Sequence, residues 1–117
     1  MKLTKHFKLK EFTCRHCGKG EEKIDPVLVA KLEVLRSLLA DKPIIVTSGY
    51  RCESHNQTVG GAVDSQHLKG KAADIVVKGL KPYQVYYYAD KVFANSGVGF
   101  YKTHIHVDTA NKRRWEG

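Results

Sequence analysis

Leu28, Leu32, Leu35 and Leu39 recur at spacings of four, three and four, which places them on one face of a helix. Asp25 suits the cap of that helix and Pro26 its first position, while Pro43 disfavours a helical residue before it and marks the end. PIIVTS, residues 43–48, is a β-branched run and predicts a strand. A short helix is expected near 53–58, then a loop at Gly60 and Gly61. AADIVV, residues 72–77, predicts a second strand. KPYQVYYYADKVFANSG predicts a second long helix closed by Gly97. Val85, Ala89, Val92 and Phe93 share one face of it, a face that Tyr86, Tyr87 and Tyr88 cannot all join. VGFY and HIHVD read as a closing pair of short strands, and NKRRWEG as a basic tail carrying the only Trp. Residues 1–23 look irregular, with turn signals at CGKGEE. Helices and short strands are mixed and the late links are hairpin-like. The expectation is an α+β fold, a small antiparallel sheet flanked by helices, in a single domain over 1–117.

Composition narrows the class without naming a function. A chain of 117 residues that is 42% hydrophobic can bury one modest core. No apolar run approaches the ~20 residues needed to span a membrane, so no membrane insertion is expected. MKLTKHFKLKEF lacks the apolar stretch of a signal peptide; work outside the cytoplasm would then need release by another factor. A net charge of +8 favours an anionic partner, either nucleic acid or an anionic wall polymer. The basic residues are dispersed, and no arginine-rich helix or aromatic RNA-reading pattern accompanies them, so no specific nucleic acid is expected. Three cysteines cannot form a fully paired disulfide framework. Cys14 and Cys17 make a CxxC, and Cys52 with His16, His6 or His55 would complete four structural zinc ligands. The spacing matches no finger or ribbon pattern, and reduced thiols or a local disulfide are the expectation.

Chemistry concentrates in two stretches, SQHLKGKAAD at 65–74 and HIHVD at 104–108. A catalytic zinc site takes three protein ligands and leaves one position open. His67, Asp74 and His106 supply that number. LKGKA can turn the chain back so that Asp74 enters from the strand that follows His67. His104 and His106 lie two apart on a strand and so point to one face, one binding metal while the other stands over the same pocket.

SGYRCESHNQTVGGAVDSQHLKGKAADI, followed by GVGFY and HIHVD, closely resembles the zinc D-Ala-D-Ala carboxypeptidase family of metallopeptidases, in particular the small single domains of phage endolysins and bacterial cell-wall peptidases. The resemblance covers nearly the whole chain and implies a Hedgehog/DD-peptidase-like fold. It implies one catalytic Zn2+ held by His67, Asp74 and His106. Arg51 then matches the arginine that holds a substrate carboxylate or carbonyl oxygen, and Ser65 a substrate hydrogen-bond partner. Many members carry an acidic general base three positions before the last zinc histidine; here that position is Thr103. His104 is the available substitute, with Asp108 the runner-up base, though Asp108 suits support of a metal ligand or strand pairing better.

The implied activity is zinc-dependent hydrolysis of an amide bond in the peptide stem of peptidoglycan at the cell wall; the oligomeric state is open, with a monomer the expectation. D,D-carboxypeptidase and L,D- or D,D-endopeptidase action both stay open, as does phage or bacterial origin. The alternative is a non-catalytic, zinc-stabilised wall-binding module, for which Thr103 is the best argument. A small zinc- and nucleic-acid-binding protein built on CRHC and the basic tail ranks last, because it leaves SQHLKGKAAD and HIHVD without a role.

Overall fold

The structure is a computed structural model that describes residues 1–117. Helix α1 runs over Pro26–Leu38, strand β1 over Ile44–Ser48, the short helix α2 over Glu53–Thr58 and strand β2 over Ala72–Val77. Helix α3 follows over Pro82–Val92, then strands β3 (Gly97–Phe100), β4 (Ile105–Asp108) and β5 (Arg113–Glu116). The sheet order is β1-β2-β4-β3-β5. Three of its pairings are antiparallel and the fourth, β3 with β5, is parallel.

The leucine pattern does what its spacing requires. Leu28, Leu32, Leu35 and Leu39 are all buried, and Asp25 caps α1 by accepting from Val27 N at 2.9 Å. Val85, Ala89 and Phe93 of the α3 region are buried with them, while Val92 is only partly covered. Strand residues alternate with a period of two. Val46, Ala73, Ile75, Val77, Val98, Ile105 and Val107 face the helices in one apolar cluster. The intervening residues, Asp74, His106, Asp108, Gly97 and Gly99, belong to the opposite face. One face of the sheet is therefore core, and the other is free to carry chemistry.

One sequence expectation needs correcting. NKRRWEG is not a basic tail: Arg113–Glu116 forms an edge strand, in parallel register with β3. Its arginines are engaged. Arg113 donates to Asp108, and Arg114 pairs with Asp90 while donating to the carbonyls of Ser96, Phe93 and Ala94 at the end of α3. The expected antiparallel sheet is present, and β5 adds one parallel pairing at its edge. The place of β5 has a local cause. β5 has no apolar alternation, and its place is set by hydrogen bonds to β3 and by Trp115 lying over Gly99, where a Cβ would strike the indole.

Residues 1–23 are irregular, as their composition implies, with two short 3-10 turns at Leu9–Phe12 and Glu21–Lys23. They nevertheless place Phe7 and Phe12 fully inside the core. Glu33 of α1 clamps this segment, accepting from Thr4 Oγ1 and His6 N at 2.6 Å each and lying 2.7 Å from His6 Nδ1. Burial raises the Glu33 carboxyl pKa, but the hydrogen bonds from Thr4 and His6 outweigh it and hold the group below its ordinary value. A depressed folded-state pKa adds stability above the unfolded value, about 4.3, and that stability is lost as the pH falls through the folded value. Glu33→Gln should therefore cost about 1.5–3 kcal/mol at neutral pH, as expected for hydrogen bonds to a charged acceptor. In urea unfolding of both proteins, the gap should narrow below about pH 4. A gap independent of pH would exclude the clamp.

Candidate metal centre

The centre lies along one row that crosses the whole sheet. Asp74 of β2 is the direct partner of His106 on β4 and also of Ser48 on β1. Gly99 of β3 is opposite His106 on its other side, and Trp115 of β5 is opposite Gly99. An irregularity between Val46 and Ser48 adds a residue to β1 and brings Ser48, rather than Thr47, level with Asp74. Because Gly99 has no side chain, the Trp115 ring reaches across it to His106, centroid to centroid 5.0 Å.

His67 comes from outside the sheet. It sits on a 3-10 turn, Gln66–Lys69, capped by Ser65 Oγ, which accepts from His67 N at 3.2 Å. Gly70, at φ +71°, ends the turn and feeds the chain into β2. His67 Nε2 and His106 Nδ1 each lie 3.2 Å from the same oxygen, Asp74 Oδ1. One ligand atom from each of His67, Asp74 and His106 falls within 4.8 Å of the others, and all three residues are buried.

The outward nitrogens are held as well. His67 Nδ1 is 2.7 Å from the Gly49 carbonyl, and His106 Nε2 is 2.8 Å from Asp108 Oδ2. Each imidazole thus has its tautomer and orientation set by a partner behind it, the arrangement that supports a metal-binding histidine. Asp108 is fully buried. Besides His106 it accepts from Arg113 at 2.6 Å, Gly97 N at 3.1 Å and Ala110 N at 3.0 Å. Its oxygens are saturated, which suits support of His106 and not proton transfer in the cleft.

Charge is balanced at close range. Burial raises the Asp74 carboxyl pKa, but hydrogen bonds and Coulombic attraction from His106 and His67 hold it far below the usual carboxylate range. Arg51 Nη2 donates to the other Asp74 oxygen at 3.1 Å, while its Nε donates to Ser48 Oγ at 3.0 Å. Burial lowers the His106 pKa, yet Asp108 and Asp74 together raise it above its ordinary value. Two imidazoles and a carboxylate, converging with their second atoms fixed, are a donor set suited to zinc with a position left open.

The cleft above this centre has a volume of about 550 Å³. Arg51, Ser65 and His104 line it beside the three candidate ligands. His104 precedes β4; its Nε2 is 3.8 Å from Asp74 Oδ2 and its Nδ1 is 2.9 Å from Thr103 Oγ1. Its ring stacks on Tyr101, 4.5 Å between centroids and 8° between planes. Burial lowers its pKa. Sequence reasoning missed Tyr101, Arg113 and Trp115. A signal existed: Gly97 and Gly99 leave one side of GVGF bare, which invites neighbouring side chains to lie across it.

A profile of the peptidase M15 family matches residues 5–108. A probable peptidoglycan L,D-endopeptidase of Haemophilus influenzae is 38% identical over 104 residues, covering 81% of this chain and 55% of that protein. A zinc D-Ala-D-Ala carboxypeptidase of Streptomyces albus G is 45% identical over 49 residues, 42% of this chain and 19% of that protein. The chain thus spans about half the length of the first of these relatives and a fifth of the second. No helix of the structure is long and apolar enough to cross a membrane.

If Asp108 orients His106 for metal binding, Asp108→Asn should weaken zinc affinity about 10–100-fold, read by competition with a chromophoric chelator. Unchanged affinity in a folded variant would remove Asp108 from the centre.

Proposed function

Since the chain belongs to the peptidase M15 family, we propose that it is a zinc-dependent peptidase, with residues 1–117 acting as one domain and as a monomer, that hydrolyses an amide bond in the peptide stem of bacterial peptidoglycan. The observation that carries this reading is the convergence of His67, Asp74 and His106 at the floor of a cleft that also holds His104 and Arg51. One relative is a probable peptidoglycan endopeptidase and the other a D-Ala-D-Ala carboxypeptidase, which supports this substrate class.

His67, Asp74 and His106 would hold the zinc, which would supply Lewis acidity to polarise a carbonyl oxygen and acidify water. The chain's own residues do the rest. The 2.9 Å contact between His104 Nδ1 and Thr103 Oγ1 allows the tautomer in which Nδ1–H donates to Thr103 and the Nε2 lone pair faces the cleft beside Asp74. Nε2 takes a proton from the attacking water as the water oxygen bonds to the carbonyl carbon. It then gives that proton to the amide nitrogen as the C–N bond breaks. Stacking on Tyr101 holds the ring for both transfers. Thr103, which stands where an acidic base was expected, thereby becomes the group that orients the substitute base.

Arg51 places a fixed positive charge at the edge of the centre, anchored by Ser48 and Asp74. That charge attracts a substrate carboxylate or a developing oxyanion. Ser65 lines the cleft, although the contact its hydroxyl makes is the local one to His67 N. Trp115 walls the side of His106 and donates from Nε1 to Tyr101 OH at 2.8 Å, tying β5 to the loop that carries His104. The net charge of +8 would concentrate the enzyme on an anionic wall through salt-sensitive attraction.

The test pairs metal content with release of new amino groups from peptidoglycan. His104→Ala should keep its catalytic zinc and lose about 10²–10⁴ in turnover. His67→Ala should lose both. Mass spectrometry of the products would separate loss of a terminal D-alanine from cleavage inside the stem. A zinc-loaded wild type that binds walls but releases nothing from several wall types would establish the non-catalytic module instead.

A further inference from the structure

Outside the cleft, a second set of soft ligands is gathered by the fold. Cys14 and Cys17 lie on the turn after Leu9–Phe12, and Cys52 is the N-cap of α2, far away in sequence. Tyr50 N donates to the Phe12 carbonyl at 2.8 Å and lays the two segments side by side. The sulfurs of Cys14, Cys17 and Cys52 all fall within 4.8 Å of one another. We propose that Cys14, Cys17, Cys52 and His55 form a second, structural zinc site that fastens the N-terminal segment to the loop carrying Arg51.

The distances fit an ion between the thiolates. Two sulfurs at about 2.3 Å from a tetrahedral zinc stand about 3.8 Å apart. Cys14 Sγ and Cys52 Sγ are 3.7 Å apart, and none of the three cysteines is disulfide-bonded. Both halves of the set have the same short spacing: Cys14-Arg15-His16-Cys17, then Cys52-Glu53-Ser54-His55. The tertiary structure gathers the three sulfurs, and the His55 ring turned onto them would complete a Cys3His set, a closed structural type.

The backbone is arranged for charged sulfur. Cys52 N donates to Cys14 Sγ at 3.5 Å, and His55 N donates to Cys52 Sγ at 3.4 Å. Gly18 adopts φ +72° and donates its N–H to the Cys14 carbonyl at 2.8 Å, closing the tight turn that points Cys17 back toward Cys14. His55 is in the first turn of α2, and its ring meets that of His16 edge-on at 5.9 Å. His55 is the better fourth ligand. Its ring nitrogens do not lie within 4.8 Å of all three sulfurs, so its side chain would turn to reach the ion. It is held on α2 three residues after Cys52, whereas His16 lies between the two cysteines of the turn.

The site would act on the cleft from behind. Gly49 orients His67 through its carbonyl, and Arg51 binds Asp74. Both belong to the stretch that ends at Cys52. A metal there would restrain the chain that holds two members of the candidate centre, without touching them.

The experiment counts metals on the full chain purified under reducing, zinc-replete conditions. About two zinc ions per chain are expected in wild type and His16→Ala, and about one in His67→Ala. Cobalt-substituted His67→Ala should still show thiolate-to-cobalt charge-transfer absorption in the near ultraviolet. Cys17→Ser, Cys52→Ser and His55→Ala should each lose one equivalent on dialysis. Should the cysteine variants fold poorly, wild type alone decides the matter: the thiols should resist a thiol reagent until a chelator is added. The proposal is overturned by one zinc per chain that His67→Ala removes, or by thiols that react equally fast with and without chelator. A wild-type mass lower by the two hydrogens of a disulfide would overturn it too. Because the readouts are metal count, absorption and thiol protection, they stand or fall separately from peptidase activity.

Discussion

The antiparallel register of β2 against β4 is the constraint on which the rest of the centre depends. It sets Asp74 opposite His106 and leaves Ile75 opposite Ile105 on the core side. Side chains alternate with a period of two, so a slip of one residue would turn Ala73 or Ile75 toward the cleft and bury Asp74 among leucines. The core and the centre are therefore specified by the same hydrogen bonds. The apolar cluster of Ala73, Ile75, Ile105 and Val107 holds the register, and the register delivers a carboxylate and an imidazole to one spot.

A buried carboxylate is costly unless it is paired. Asp74 is paired four times, with His67, His106, Arg51 and, at longer range, His104, and Asp108 is paired with His106 and Arg113. The chain Arg113–Asp108–His106–Asp74–Arg51 runs across the sheet as alternating charge and imidazole. Each member has its partner before any ion arrives, so the donor atoms are preorganised and a cation would meet oriented lone pairs. The same chain explains why the edge strand β5 matters: it brings Arg113 to Asp108 and Trp115 to His106.

The N-terminal segment shows a different economy of contacts. It has little regular structure, yet it places Phe7 and Phe12 in the core and is held by Glu33 on one side and by the Phe12–Tyr50 backbone contact on the other. The gathering of Cys14, Cys17 and Cys52 lies at that second contact, behind the loop from Gly49 to Cys52. Two clusters of ligating residues thus share one stretch of chain, one on its cleft side and one on its outer side.

The sequence by itself determined the local elements. The leucine spacing specified α1, AADIVV specified β2 to the residue, ESHNQT specified α2, and VGFY with HIHVD specified the β3–β4 pair. These patterns are legible because helix and strand periodicities are local and because burial demands apolar residues at each repeat. The candidate ligands His67, Asp74 and His106 were also legible, since the residue types that bind zinc are few and their spacing within each stretch is short. What only the tertiary structure decided lies between distant segments. β5 has no apolar alternation, so its parallel pairing and the inward turn of Trp115 follow from the bare glycines of β3. The saturation of Asp108 depends on Arg113 arriving from that strand. The convergence of Cys52 with Cys14 and Cys17 depends on a backbone bond between Tyr50 and Phe12, which no periodicity encodes. Spacing along the chain reports which residues can share a face, but proximity across the chain is set by packing, and there the sequence alone is silent.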